Sequence, residues 1–127
     1  MKIQKPQAFC PYYRHAVELI GRRWTGAILR AMLFGVTRFS DLAETIPGMS
    51  DRMLSERLKE LETEGLLVRS VIPETPVRIE YHLTEKGRAL ESVIEAATDW
   101  AEEWLALPQV GAPDDEAQPP ALAKAAQ

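Results

Sequence analysis

The stretch from Ser40 to Gly65 constrains this chain more than any other. Ser40 can cap a short helix running through Ile46, with Asp41 and Glu44 well placed at its positive start. Pro47-Gly48 breaks that helix. Ser50 caps again, and a second helix spans 51–64 before Gly65 supplies a left-handed stop. Two helices joined by so tight a turn are a helix-turn-helix, and the second is about 14 residues, roughly 21 Å long.

After Gly65 the period of the sequence changes. Val77-Arg78-Ile79-Glu80-Tyr81-His82-Leu83 alternates apolar and polar strictly, as a half-buried strand does, and Leu66 to Ile72 is its partner. Pro73-Glu74-Thr75-Pro76 joins them, and its prolines stiffen the tip and block further pairing. Thr84 then caps a last helix from Glu85 to about Leu105, striped with Leu90, Val93, Ile94, Ala97, Trp100, Ala101 and Trp104. Upstream, Pro11 suits a first helical position with Cys10 at the cap; Tyr13, Val17 and Ile20 recur at helical spacing, and Gly21 ends that helix. A further helix spans roughly Arg23 to Phe34, striped with Trp24, Ala27, Ile28, Ala31 and Met32, and stopped by Gly35. A short extended link, Val36 to Phe39, leads into the helix-turn-helix. The expected fold is mainly α with a small β-hairpin: a winged helix-turn-helix with a recognition helix at 51–64, a wing at 66–83, and N- and C-terminal dimerisation helices.

At 127 residues the chain has room for one domain. Residues 1–9 are expected to be a flexible start and 10–107 the folded domain. The Pro-, Ala- and acid-rich stretch 108–127 is expected to be a disordered tail. One cysteine and two histidines, His15 and His82, leave no disulfide framework and no structural zinc site. There is no Gly-rich phosphate loop and no nucleophile with an evident base, so neither an enzyme nor a bound cofactor is expected. No apolar run approaches the ~18 residues of a membrane span, and MKIQKPQAFC lacks the apolar core of a signal peptide. A cytoplasmic protein without membrane contact is therefore expected.

The net charge of −4 conceals an asymmetry. Residues 1–90 carry 14 Lys and Arg against 11 Asp and Glu, a net of +3; residues 91–127 carry 1 against 8, a net of −7. A mildly basic body is a reason to seek an anion-binding face. If Leu54 faces the core, Leu58 and Leu61 share its side, whereas Arg52, Ser55, Glu56 and Lys59 fall opposite. Arg can donate twice to guanine, Ser can bond a base or phosphate, and Glu can accept from cytosine. The alternative is a solvated face with i,i+4 charge pairing. Arg78, at the shoulder of the wing, can enter a minor groove or meet a phosphate, with Arg69 helping; the alternative is an ion pair of either with Glu80 across the hairpin. Arg22, Arg23 and Arg38 flank helix starts and are candidate phosphate contacts.

These residues carry a resemblance. The Cys10-Pro11 start, Gly21 with Trp24-Thr25, Arg38-Phe39-Ser40-Asp41-Leu42 and Ile46-Pro47-Gly48-Met49-Ser50 resemble the HxlR-type family of bacterial winged helix regulators. So do Met53-Leu54, Arg57-Leu58, Leu61-Glu62, Gly65-Leu66, Pro73-Glu74 with Pro76, Glu80-Tyr81, and Leu83-Thr84 with Gly87. The resemblance covers about residues 10–105. It implies a homodimer on a pseudo-palindromic operator of double-stranded DNA, with half-sites about one helical turn, ~34 Å, apart. It also implies that Ser50, Asp51, Arg52, Ser55, Glu56 and Lys59 lie where the family reads DNA, and that Arg78 is its wing arginine. Asp51 and Glu56 depart from the pattern, since several members carry a neutral or basic residue and a glutamine there.

The last helix supports a dimer independently of the resemblance. Two tryptophans left in water cost several kcal/mol at about 25 cal/mol per Å², and a partner helix across a two-fold axis would cover them. Leu90, Val93, Ile94, Ala97, Trp100 and Trp104 are the expected interface; the alternative is a helix folded back on its own domain. Cys10, at a positive helix end with Arg14 one turn on, is the candidate regulatory residue, either an oxidant- or electrophile-responsive thiol or a small buried residue beside Tyr12 and Tyr13. A small molecule or an oxidant is the candidate effector. The competing function is a winged-helix protein-interaction scaffold that binds no specific DNA.

Overall fold

The computed structural model describes residues 8–108. Among these residues the order is α1 (Pro11–Ile20), α2 (Thr25–Leu33), α3 (Phe39–Thr45), α4 (Asp51–Thr63), β1 (Leu67–Ile72), β2 (Arg78–Leu83), α5 (Glu85–Arg88) and α6 (Glu91–Trp104). This is the winged helix-turn-helix expected from the sequence. Of the start expected at 1–9 and the tail expected at 108–127, residues 1–7 and 109–127 lie outside the described residues.

The caps explain most of the boundaries. Cys10 is extended at the N-cap of α1, and its Sγ accepts from the Tyr13 amide at 3.4 Å, with Pro11 opening the helix. Ser50 Oγ accepts from the Met53 amide at 3.1 Å and starts α4; Gly65, at φ +80°, closes it. Ser40 does not cap α3. Arg38 holds that position, because its extended backbone bridges to Glu80 of β2 and its carbonyl accepts from the Leu42 amide at 2.9 Å. The pairing to the wing therefore starts the helix before Ser40, which falls inside the first turn. The second helix also starts later than expected, at Thr25, because Trp24 is left-handed (φ 77°) at its N-cap.

The core is a single cluster. Ile28 and Leu29 of α2, Leu42 of α3, and Leu54, Leu58 and Leu61 of α4 are wholly enclosed, with Leu67, Tyr81 and Leu83 of the wing and Ile94 of α6 against them. Each such leucine contributes about 2 kcal/mol by leaving water. The hairpin is antiparallel with Leu67 opposite Leu83 and Ile72 opposite Arg78. The Thr37 carbonyl, in the link before α3, accepts from the Tyr81 amide at 2.7 Å, so the link runs along the wing's second strand.

The single long C-terminal helix expected over 85–105 is instead two. α5 is tied down at once: Thr84 Oγ1 donates to the Gly65 carbonyl at 2.7 Å, Lys86 Nζ donates to the Glu64 carbonyl at 2.6 Å, and Gly87 packs so tightly that a Cβ would collide with the Leu66 carbonyl oxygen. A straight continuation would keep α6 on that anchored axis. The chain instead tightens at Ala89 and Leu90, where the Leu90 amide reaches back three residues to Gly87, and α6 leaves to pack on α2.

Candidate nucleic-acid interface

α4 separates its two faces cleanly. Leu54, Arg57, Leu58 and Leu61 are buried, while Ser50, Asp51, Arg52, Ser55, Glu56 and Lys59 are exposed. The helix is turned as its leucine spacing requires. Asp51 sits in the first turn, where the helix dipole favours an acid. Arg52 Nε lies 3.4 Å from Glu56 Oε2, one turn on, so part of the face is charge-paired. The Arg52 side chain is 88% exposed, and a pair so open to water is worth well under about 1 kcal/mol and yields readily to a better acceptor. Among the described residues Lys59 has no carboxylate partner.

Arg57 has no predicted role in the site, yet it fixes where α4 sits. Its Nε donates to the Arg23 carbonyl at 2.9 Å and its Nη1 donates to Glu60 Oε2 at 3.3 Å. The guanidinium thus ties α4 to the turn between α1 and α2. The one signal for it in the sequence is an arginine falling inside the Leu54–Leu58–Leu61 stripe. Glu60 also takes Arg22 at 3.0 Å, and His15 stands 3.6 Å from Glu64. These contacts bridge an open groove of about 620 Å³ between α1 and α4.

The wing arginine is held more firmly. Arg78 is flanked by Glu80 Oε2 at 2.8 Å from Nε and by Glu74 Oε1 at 3.2 Å. The Glu80 contact is off hydrogen-bond alignment, so it is an ion pair that leaves the buried Nε without a hydrogen bond. His82 Nε2 lies 2.9 Å from the other Glu80 oxygen. The hydrogen bond with His82 does most to hold the Glu80 carboxyl below the usual range; burial opposes it, and the neighbouring charge of Arg78 adds a lesser lowering. The ion pair with Glu80 that the alternative reading names is therefore present for Arg78, but not across the hairpin: Arg78 and Glu80 are neighbours on one face of β2, and Glu80 stands opposite Ser70. Arg69 is exposed opposite Tyr81, on the other face of the sheet.

The remaining candidates spread around this edge. Arg38 is exposed, with its backbone against Glu80. Arg23 stacks its guanidinium 4.8 Å from the centre of the Trp24 ring. Arg14 pairs with Glu18 at 3.0 Å, one turn further along α1. Cys10 is half-buried, with its Sγ at the Tyr13 amide, while the Tyr12 and Tyr13 side chains are exposed in the single chain.

The expected dimer stripe divides. Ile94 is in the protomer's own core and Leu90 packs against it, whereas Val93, Ala97, Trp100 (59% exposed) and Trp104 (63% exposed) face outward. α1 buries no residue at all, with Tyr12 87% and Tyr13 71% exposed.

A capped helix-turn-helix followed at once by an antiparallel hairpin defines the winged helix-turn-helix regulators of transcription. The chain belongs to the HxlR-like helix-turn-helix family, whose model matches residues 19–109. It is 50% identical over 96 residues to the HTH-type transcriptional regulator YvaP of Bacillus subtilis, covering 76% of this chain and 89% of that one. It is 46% identical over 95 residues to the regulator YodB of the same organism, covering 75% and 85%. The reduced form of YodB superimposes with a TM-score of 0.67 over 76% of this chain and 94% of its own, and YodB is also known diamide-treated and quinone-bound. The redox regulator HypR in its reduced form has a TM-score of 0.68 at 34% identity, over 72% and 91%. The family is one of transcriptional regulators, not enzymes. Among the described residues no helix is long and apolar enough to cross a membrane.

Proposed function

We propose that this chain works as a homodimer that reads a pseudo-palindromic DNA operator, with α4 in the major groove and the β1–β2 wing at the minor groove or backbone. α4 carries this reading. Its leucines are closed into the core, and its opposite face offers Arg52, Ser55, Glu56 and Lys59 side by side. Ser50 and Asp51 lead into that face, Arg78 supplies the wing contact, and Arg23 and Arg38 serve as phosphate contacts. The uncovered aromatic residues of α1 and α6 are the surface on which two copies meet, through Val93, Ala97, Trp100 and Trp104.

Selection of bound duplexes from a random pool, with the mass measured in solution, tests the proposal. A dimer with a two-fold symmetric sequence preference is expected; a monomer, or a pool without preference, ends it and leaves the protein-interaction scaffold. Arg52→Ala should change preference at particular base pairs by about 1–3 kcal/mol. A selected sequence identical to that of the wild type would mean that Arg52 does not face the bases.

Cys10 is the regulatory residue of this proposal, responding to an oxidant or electrophile. Its Sγ caps α1, so a modification there removes an acceptor from the first turn of a helix with no buried residue of its own. Relatives described as redox regulators or as quinone-bound support the assignment. Complete alkylation by a quinone should change operator binding; unchanged binding in a fully modified sample removes this role.

A further inference from the structure

Two carboxylates of equal charge flank the wing arginine, and they are not equivalent. Glu80 is on β2 itself, its side chain only 18% exposed, with one oxygen on Arg78 and the other on His82. Its backbone is also paired twice, to Ser70 and to Arg38. Glu74 is in the Pro73–Pro76 loop, half exposed, with Arg78 as its ion-pair partner among the described residues. A guanidinium presents several donors in a fixed plane, so one edge can be held while another is offered. Arg78 Nε, against Glu80, is enclosed, whereas Nη1 donates at 3.2 Å to Glu74, whose side chain is half exposed.

We propose that Glu80 is a positioning residue that aims the Arg78 guanidinium at the operator, and that Glu74 is a place-holder whose seat a DNA phosphate oxygen takes. This rests on the reading that the wing meets DNA. Glu80 stays bound to Arg78 in the complex, and His82 steadies it from behind. Glu74 swings away, because a more exposed carboxylate gives up its partner at lower cost.

The two glutamates therefore have opposite effects when the same charge is removed. Field effects alone would make both Glu74→Gln and Glu80→Gln bind DNA more tightly, since each removes a negative charge near phosphates. With Glu80 positioning and Glu74 yielding, Glu74→Gln should tighten operator binding about twofold to threefold, and Glu80→Gln should weaken it about fivefold to tenfold. Glu80→Gln should also flatten the dependence of affinity on salt towards that of Arg78→Ala, because one phosphate contact is lost. In an Arg78→Ala background, Glu80→Gln should no longer weaken binding. Tighter binding by Glu80→Gln, or equal weakening with and without Arg78, overturns the proposal.

The underlying reading fails differently. If Arg78→Ala leaves affinity and salt dependence unchanged, the wing does not touch DNA, whatever the glutamates do. Should Glu80→Gln prove poorly folded, the wild-type protein still decides: the close approach of the Arg78 Nε proton to the Glu80 side chain, followed as a nuclear Overhauser contact by NMR, should persist in the operator complex. Its disappearance on binding would show that Glu80 lets go, and would overturn the assignment.

Discussion

The body from α2 to β2 and the two flanking helices, α1 and α6, use apolar residues in opposite ways. In the body the large apolar residues of the helix faces turn inward, so Leu42, Leu54, Leu58 and Leu61 have essentially no contact with water. In α1 none is buried, and in α6 only Ile94 is. The body is complete within one chain. The flanking helices carry a second apolar surface, rich in tyrosine and tryptophan, that is exposed among the described residues. Such a division is what a protein needs when one part must be rigid alone and another must wait for a second copy.

The contrast can be broken from either side. The largest effect belongs to the body: Leu58→Ala should lower unfolding stability by about 3–4 kcal/mol in thermal denaturation, because the site is wholly enclosed and cannot collapse. A loss below about 1 kcal/mol would mean that the core is not closed as described. Next come the flanks. Trp100→Ala with Trp104→Ala should shift the dimer towards monomer by about 3 kcal/mol in sedimentation, with the secondary structure of the body intact. Unaltered mass at low concentration would place the interface elsewhere. Arg57→Ala comes third, at about 2 kcal/mol, since it strands the Arg23 carbonyl and leaves Glu60 with Arg22 alone of its two arginines. Lysine there should not restore the loss, having no planar fork to reach both partners.

The smallest effect is one of acidity. Because Glu80 is held below the usual carboxylate range, it favours the folded wing fully at pH values above the ordinary glutamate range. That contribution is lost progressively as pH falls through the ordinary glutamate range and below it. Thermal melts of Glu80→Gln should be flatter across that window than those of the wild type. Parallel curves would mean that the carboxylate contributes nothing to the fold.

The body is legible in the sequence because its signals are local. Pro47-Gly48, the Ser50 cap and Gly65 mark α4 within a residue, and strict alternation marks β2. The features that are not legible depend on residues far apart in the chain. Nothing near Ser40 reveals that Arg38 is bridged to Glu80, which moves the start of α3. Nothing in the stripe from Leu90 to Trp104 reveals that Gly87 is pressed against Leu66, which breaks the helix before the stripe begins. The charges of the candidate site can be found from sequence, and Glu80 is the partner that the alternative reading gives Arg78, but the pair lies along β2 instead of across the hairpin, and Glu74 and His82 join it. Alternation shows which face a side chain takes and leaves open which neighbour on that face it prefers.

The break at Ala89 and Leu90 has a geometric consequence. α6 extends about 21 Å beyond it, so a swivel of about 10° at that joint carries the far end of the helix by roughly 4 Å. In the proposed two-fold pair the displacement would appear twice, in opposite senses. The calliper gap between two copies of α4 would then be set by a pair of residues placed away from the proposed DNA face, and a small twist there would retune which operators both tips could span together.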